Sequence, residues 1–421
     1  MAEVSSVDAV AVDPIEAFYE RHPYPPPVTD LSRLAGRLRV DDGRTARVEH
    51  HRIWPARPVD SVRSVLVAGC GTAQAVRHAL RRPSARVVGI DVSAASLEHS
   101  RTLADHHGVT NLALHRLPIE EVGSLGERFD HVVCTGVLHH LADPAAGLRS
   151  LRGALSPRGA ITLMVYARHG RVGVTMLQEY CRRLGVGTSS AELAGLVATL
   201  RELPLGHPLG RLLRETRDFG TDDALADALC NPRERSYDVP ALLSLLADAG
   251  LRFGRWEHQA PYLPDCGSVS ETPHAERIAA LPPPEQHALV ELFRGTMTRH
   301  TAIAFDADDP ATGVVDFTGD AVDRWIPLPV PTAVAVEERL PPGEAGALVN
   351  RAHVDTDLVL FVDRRRLDLF RSIDGQRTIG ELGPGTAPFV ERLWRHDLVV
   401  VDTTDVDAAP SPVPPDPKER P

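Results

Sequence analysis

The chain has 421 residues, 43% of them hydrophobic and 24% charged, a globular composition that at this length predicts two or three domains. Its net charge of −11 speaks against a duplex nucleic-acid binder, whose affinity rests on basic residues facing phosphates. The run Arg364–Arg366 reads as a solvated face. The five cysteines, Cys70, Cys134, Cys181, Cys230 and Cys266, form no Cys-x-x-Cys pair, so neither a zinc site nor a disulfide framework is supported and a reducing cytoplasm fits. No secretory signal is visible, and the absence of any run of about 18 apolar residues means no membrane span is expected.

Residues 1 to about 60 are proline-rich and read as irregular, with "FYERHPYPPPV" (Phe18 to Val28) as an extended segment of polyproline character. A strand–helix rhythm follows. "SVLVAG" is a short β-branched strand ending in glycine, "QAVRHALRR" a helix, and "ARVVGID" a second buried strand. Ser93 is a plausible cap for the next helix and Gly108 its stop. "NLALHRL", "FDHVVCTGV" and "AITLMVYA" read as strands three to five, with "DPAAGLRSLRGAL" as the helix before the fifth. From Val172 to about Leu229 the chain is mostly helical, an insertion over the carboxyl edge of the sheet. "VPALLSLLADAGL" resumes the helix–strand pattern, "FGRWEHQ" is a sixth strand and "HTAIAFDAD" a seventh. Strands spaced this way with helices between them predict a parallel, doubly wound sheet.

In such a sheet ligands sit at the carboxyl ends of the strands, and the first strand–helix turn offers backbone N–H groups to them. Here the turn is Gly69-Cys70-Gly71-Thr72-Ala73-Gln74. A dinucleotide fingerprint needs a small residue where Gln74 stands. Asp91 ends the second strand, 20 residues after Gly71, where a carboxylate accepts hydrogen bonds from ribose hydroxyls. A ribose reader without a sound pyrophosphate reader favours an adenosine ligand that carries no diphosphate. The duller reading of Gly69 and Gly71 is a tight turn and nothing more.

At "VLVAGCGTA", "VVGIDVS" and "FDHVVCTGVLHHLADPAAGLRSLRGALSPRGAITL" the chain resembles the class I S-adenosylmethionine-dependent methyltransferases. The resemblance covers roughly Val62 to Ala167 well, and more loosely to about Asp308. It implies an α/β fold with a seven-stranded Rossmann-like sheet and a helical cap insertion, with S-adenosyl-L-methionine as cofactor. Carried over to this sequence, Gly69 and Gly71, with Cys70, Thr72 and Gln74 in the same turn, border the methionine moiety. Asp91 with Val92 holds the ribose, Leu117, Pro118 and Ile119 lie along the adenine, and Thr135 and Gly136 line the floor near the sulfonium. The sequence departs from the family twice: Val67 stands where an acid is usual, and Ala73 where a third glycine is.

Methyl transfer needs alignment of acceptor and methyl, exclusion of water and, for a hydroxyl or ammonium acceptor, removal of a proton. His139 and His140, after strand four, are candidates for that base; the alternative is that they pack or cap the next helix. The segment with Tyr19 and Tyr24 is a candidate lid over the cofactor, with Tyr24 a further catalytic candidate. Tyr166, Arg168 and Arg171 emerge from strand five, where an arginine can hold a substrate carboxylate. Gln178 and Glu179 on the insertion, and Arg235 with Tyr237 after it, are candidates for the acceptor wall; Glu179 suits a cationic acceptor, although most helix carboxylates are simply solvated.

The expected organisation is a lid segment over 1–60, a methyltransferase domain over 61–310 with its insertion at about 172–235, a small C-terminal α+β domain over 313–402 and a tail of disordered composition over 403–421. The C-terminal stretch "IDGQRTIGEL" weakly resembles winged-helix peptide-binding modules, so recruitment of a peptide or carrier protein stays open beside a structural or dimerising role. The leading expectation is a cytoplasmic enzyme that methylates N, O or S of a small molecule in specialised metabolism. Rivals are a peptide or protein methyltransferase and a non-catalytic binder of the cofactor.

Overall fold

The computed structural model describes residues 13–41, 43–215, 221–309, 313–319 and 321–404. The chain divides into two compact units: Met1–Ala46 with Val62–Thr312 and His353–Val359, and Arg47–Ser61 with Gly313–Ala352 and Leu360–Pro421. The boundaries read at 61 and 313 thus miss two exchanges. Residues 353–359 go with the first unit, where Asp357 accepts hydrogen bonds from Arg294 and from the Ser268 N–H and hydroxyl. Residues 47–61 go with the second, where Arg47 pairs with Asp402 at 2.9 Å and the Thr403 N–H donates to the Pro55 carbonyl. The readings of residues 1–12 and of the tail beyond 404 lie outside the described residues.

The N-terminal stretch is helical where the sequence reading expected irregular chain: α1 (Pro14–Arg21), α2 (Ser32–Val40) and α3 (Arg44–Ile53). The Asp13 carboxylate caps α1 by accepting the Ile15 N–H at 2.7 Å, and Pro14, at the first position, forfeits no helical hydrogen bond. The cluster Pro23, Pro25, Pro26 and Pro27 begins only after the helix has ended, so Tyr19 stands on a helix and not in an extended run.

Seven strands follow: β1 (Ser64–Ala68), β2 (Arg86–Asp91), β3 (Leu112–Arg116), β4 (Phe129–Thr135), β5 (Leu155–Tyr166), β6 (Leu251–Trp256) and β7 (Arg299–Asp306). They lie in one sheet in the order β3-β2-β1-β4-β5-β7-β6; β1 to β5 pair in parallel, and β7 runs antiparallel to β5 and β6. The sixth strand starts earlier than its expected position at Phe253, and a register shift between Phe253 and Arg255 marks a bulge at Gly254. Strand order reverses between β1 and β4, which opens a crevice at their carboxyl ends.

The connecting helices are α4 (Gln74–Arg81), α5 (Ala94–His106), α6 (Pro144–Gly153), α7 (Val172–Leu184), α8 (Ser190–Arg201), α9 (Leu209–Glu215), α10 (Asp222–Cys230), α11 (Val239–Asp248), α12 (Ala275–Ala279) and α13 (Pro283–Arg294). The last two fill a stretch for which the sequence reading gave no element. Alternation along the strands sends Leu66, Ala68, Val88, Ile90, Val132 and Cys134 into one core with Leu148 and Leu151 of α6 and Leu242 and Leu246 of α11. The insertion α7–α10 builds its own small core from Val174, Leu177, Leu193, Leu196, Leu225 and Leu229, and Phe18 of α1 is part of it. Helix α1 is therefore packed onto the insertion.

The second unit holds β8 (Ile326–Pro329), β9 (Ala333–Val336), β10 (Gly346–Asn350), β11 (Val359–Val362), α14 (Arg364–Ser372), α15 (Ala387–Arg395) and β12 (Val399–Asp402). Its strands form a three-stranded sheet, β11-β10-β9, and a pair, β12-β8. After α14 the chain makes only a turn at Thr378. Thr378 and Glu381 exchange cap-like hydrogen bonds of 2.8 and 3.2 Å, but Gly383-Pro384-Gly385 stops propagation before α15 begins. No helix among the described residues is long and apolar enough to cross a membrane.

Candidate functional site

The turn after β1 owes its shape to two glycines. Gly69 and Gly71 have φ of +66° and +54°, where side chains are disfavoured. A Cβ on Gly69 would stand 2.3 Å from a Val137 methyl, and one on Gly71 would stand 2.9 Å from the Tyr24 carbonyl oxygen. The Gly71 N–H donates to Asp91 Oδ2 at 2.8 Å, and Asp91 Oδ1 accepts the Ser93 N–H at 3.0 Å. Burial pushes the Asp91 carboxyl above its ordinary value, against the pull of those N–H groups. A carboxylate oxygen with one such bond still has acceptor capacity, so both can take a ligand hydroxyl. Ser93 caps α5, as its sequence position suggested.

These residues border a cavity of about 690 Å³ in the first unit. Of the predicted cofactor residues, Tyr19, Gly69, Cys70, Gly71, Gln74, Asp91, Val92, Leu117, Pro118, Ile119, Thr135 and Gly136 all line it. Thr72 does not. It is buried, and its hydroxyl donates to the Pro25 carbonyl at 2.8 Å, tying the N-terminal segment to the turn. The Gln74 amide and the Thr135 hydroxyl bond each other at 2.7 and 3.0 Å. Burial lifts the Cys70 thiol well above its usual range, so it stays protonated. Val67, where the resemblance expects an acid, is fully buried.

His140, Tyr166, Tyr24 and Tyr19 line the same cavity. His140 is buried, and its Nδ1 lies 2.7 Å from the Arg233 carbonyl oxygen. A ring nitrogen bonded to a carbonyl oxygen carries the proton, so in the neutral ring Nε2 keeps its lone pair. His139 has no exposed surface and does not line the cavity; neither of its ring nitrogens has a partner. Its ring lies 4.2 Å from that of Tyr166, tilted by 36°, and burial holds its imidazole well below the usual pKa, in the neutral form. Of the two histidines left open by the sequence, the fold presents only His140 to the cavity.

The remaining substrate and catalytic candidates lie elsewhere. Glu179 is on the outer face of α7, bound to Arg182 and Arg183 at 2.7 and 2.6 Å. Arg168 points to solvent and pairs with Asp238 at 2.5 Å. Gln178 donates to the Ala228 carbonyl and to Glu234, both at 2.9 Å, and Arg235 donates to the carbonyls of Leu141 and Ala142. Tyr237 continues the strand pairing, its N–H donating to the Tyr166 carbonyl. In place of Arg168 the fold brings in Arg171, its guanidinium 3.6 Å over the Tyr166 ring and 3.1 Å from Glu234.

Several lining residues had no forecast: Asp13, Glu16, Asp227 and Arg233 among them. Asp227 left a trace in the sequence. It stands inside "LADAL" of α10, where every residue from Ala224 to Leu229 is buried, and an aspartate in such a run needs a partner. That partner is the Tyr19 hydroxyl, 2.8 Å away. Burial and the Asp227 charge keep the Tyr19 phenol protonated, and burial does so for Tyr166.

A family model described as a methyltransferase domain matches residues 66–161. An uncharacterized protein of Synechococcus sp., syc1184_c, is 30% identical over 242 residues, 56% of this chain and 58% of its own length. A ubiquinone biosynthesis O-methyltransferase of Methylobacterium sp. is 34% identical over 117 residues, 28% of this chain and 46% of its own. A tRNA U34 carboxymethyltransferase of Campylobacter curvus is 29% identical over 101 residues, 24% of this chain and 34% of its own. The matches thus span well under two thirds of these relatives. Among solved structures, PKMT2 from Rickettsia typhi in complex with AdoHcy aligns over 85% of this chain and 75% of its own with a TM-score of 0.58 at 12% identity, a likeness of fold.

Proposed function

We propose that this chain, whose residues 66–161 belong to the methyltransferase domain family, transfers a methyl group from S-adenosylmethionine to an N, O or S atom of a small molecule. The observation that carries the reading is the cavity itself. The glycine turn with Asp91 and His140 with Tyr166 border one space, and α1 and the insertion contribute Tyr19, Leu212 and Asp227 to the same enclosure. Walls drawn from so many elements leave room for a compact acceptor more readily than for a folded one.

S-adenosylmethionine would supply an electrophilic methyl on a sulfonium. This chain's residues fit its nucleoside: Asp91 accepts the ribose hydroxyls, Leu117, Pro118 and Ile119 give the adenine an apolar edge, and the glycines let the main chain come close. Buried side chains around the cavity exclude water. Nε2 of His140, free to accept because Nδ1 is engaged, takes the proton from a hydroxyl or ammonium acceptor.

Calorimetry tests the premise: the wild type should bind S-adenosylmethionine and S-adenosylhomocysteine, and Asp91→Ala should lose most of that affinity. No binding, or an indifferent Asp91→Ala, refutes the reading. His140→Asn should retain the binding and lose roughly 10²–10⁴-fold in transfer of labelled methyl to small molecules of a cell extract. Label appearing in protein and not in the small-molecule fraction would favour a peptide acceptor. Truncation at Gly313 is a poor way to separate the two, because it also removes Asp357 from the first unit.

A further inference from the structure

Two carboxylates of the cavity wall have only neutral partners, Asp91 and Asp227, and Asp91 is already assigned to the ribose. Asp13 pairs with Arg233 at 3.3 Å, Glu16 with Arg116 at 2.6 Å, Asp91 sits between two backbone N–H groups, and Glu120 is exposed. That leaves Asp227. It is 2% exposed, and among the described residues its Oδ1 accepts from the Tyr19 hydroxyl at 2.8 Å and from the Asn231 amide at 3.2 Å, both neutral donors. Arg171, on the same wall, is committed to Glu234.

A carboxylate withdrawn from water is costly unless a cation or several hydrogen bonds compensate it. Two neutral donors offset part of that cost, and a ligand cation entering the cavity would offset more, in surroundings where charges attract more strongly than in water. The Tyr19 ring lines the same space, and aromatic rings attract cations; the Tyr166 ring shows such a contact already, with the Arg171 guanidinium 3.6 Å over it. The donors also fix Asp227 in place, since Asn231 bonds both Asp227 and the Tyr19 hydroxyl.

We propose that Asp227, held by Tyr19 and Asn231, is the seat of an alkylammonium group in this cavity. The proposal rests on the methyltransferase reading for the source of that group. One source is the amino-acid end of S-adenosylmethionine, which finds no acid at Val67; the other is an amine acceptor.

The test compares wild type, Asp227→Asn and Tyr19→Phe. The asparagine keeps the oxygen that accepts from Tyr19 and Asn231, so it removes charge with little change of shape; circular dichroism checks the fold. Binding is measured by calorimetry with S-adenosylhomocysteine and with 5′-methylthioadenosine, which has the nucleoside and thioether but no ammonium or carboxylate. Thermal melting is measured in propylammonium chloride against sodium chloride at equal ionic strength, with and without S-adenosylhomocysteine. If the cofactor supplies the ammonium, Asp227→Asn loses at least ten-fold in S-adenosylhomocysteine affinity and nothing for methylthioadenosine, with Tyr19→Phe between. If the acceptor supplies it, both nucleosides bind unchanged, and only proteins with Asp227 melt higher in propylammonium. An equal loss for both nucleosides, or no change in either assay, overturns the proposal. If the wild type binds neither nucleoside the methyltransferase reading fails, and the propylammonium arm without nucleoside still decides whether the seat exists.

Discussion

Replacing Gly71 by alanine puts a methyl group where the glycine turn meets the N-terminal segment. Its Cβ would stand 2.9 Å from the Tyr24 carbonyl oxygen and 3.2 Å from Pro25 Cδ, and the residue's φ is +54°. The left-handed conformation costs an alanine about 1 kcal/mol. Backbone contacts cannot rotate away, so the segment must retreat, and the Thr72–Pro25 hydrogen bond of 2.8 Å is lost at a further cost of about 1 kcal/mol. A total of about 2 kcal/mol corresponds to a fall in melting temperature of roughly 3 °C for a unit of this size. Thr72→Val removes the hydrogen bond alone and should show about half the effect.

The consequence for function is larger than that for stability. Tyr24 and Pro25 line the cavity beside Gly71, so their retreat opens the site. Gly71→Ala should bind S-adenosylhomocysteine at least ten-fold more weakly, and trypsin should cut it faster after Arg21, at the end of α1. Calorimetry and timed digestion measure both. A variant that melts, digests and binds like the wild type would refute the claim that this glycine is required by the approach of the N-terminal segment.

Other outcomes follow from the same geometry. His139→Leu removes a buried N–H without a partner, worth roughly 1–3 kcal/mol, against the loss of a ring contact worth about 0.5–1.5 kcal/mol; its melting temperature should be unchanged or higher and methyl transfer retained. Burial, with Arg82 and Arg81 adding to it, pushes the partly exposed His78 down to about 3. The folded state then binds fewer protons than the unfolded chain, so this contribution is present above pH 6.5 and lost as pH falls from 6.5 towards 3. Urea midpoints should fall over that window, and less so in His78→Gln. Glu179→Ala, which removes an exposed acid paired only along its own helix, should leave both the melting temperature and transfer unchanged; loss of activity there would mean that the outer face of α7 takes part in the reaction.

Much of the cavity around the glycine turn was legible because its chemistry is local. The tight turn needs Gly69 and Gly71, the strand end places Asp91, and Ser93 caps the helix that follows; each depends on residues a few positions away. The part around His140 and Tyr166 was legible only as a neighbourhood. "LHH" offers two histidines in a single turn of 3₁₀ helix, and "YARHGR" two arginines, and nothing in either string says which faces inward. Packing set His140 on the cavity and His139 in the core against Tyr166, and it brought Arg171 over the Tyr166 ring while Arg168 pairs with Asp238 at the surface.

By itself the sequence determined the strand–helix rhythm, the glycine turn and the carboxylate that ends β2, since backbone preference, capping and apolar alternation act over a few residues. Only the tertiary structure joined Tyr19 to Asp227, 208 positions apart, and made α1 part of the same enclosure as the insertion. Such pairings depend on which buried polar group is left in need of a partner once the cores have closed, and that is settled by the whole fold.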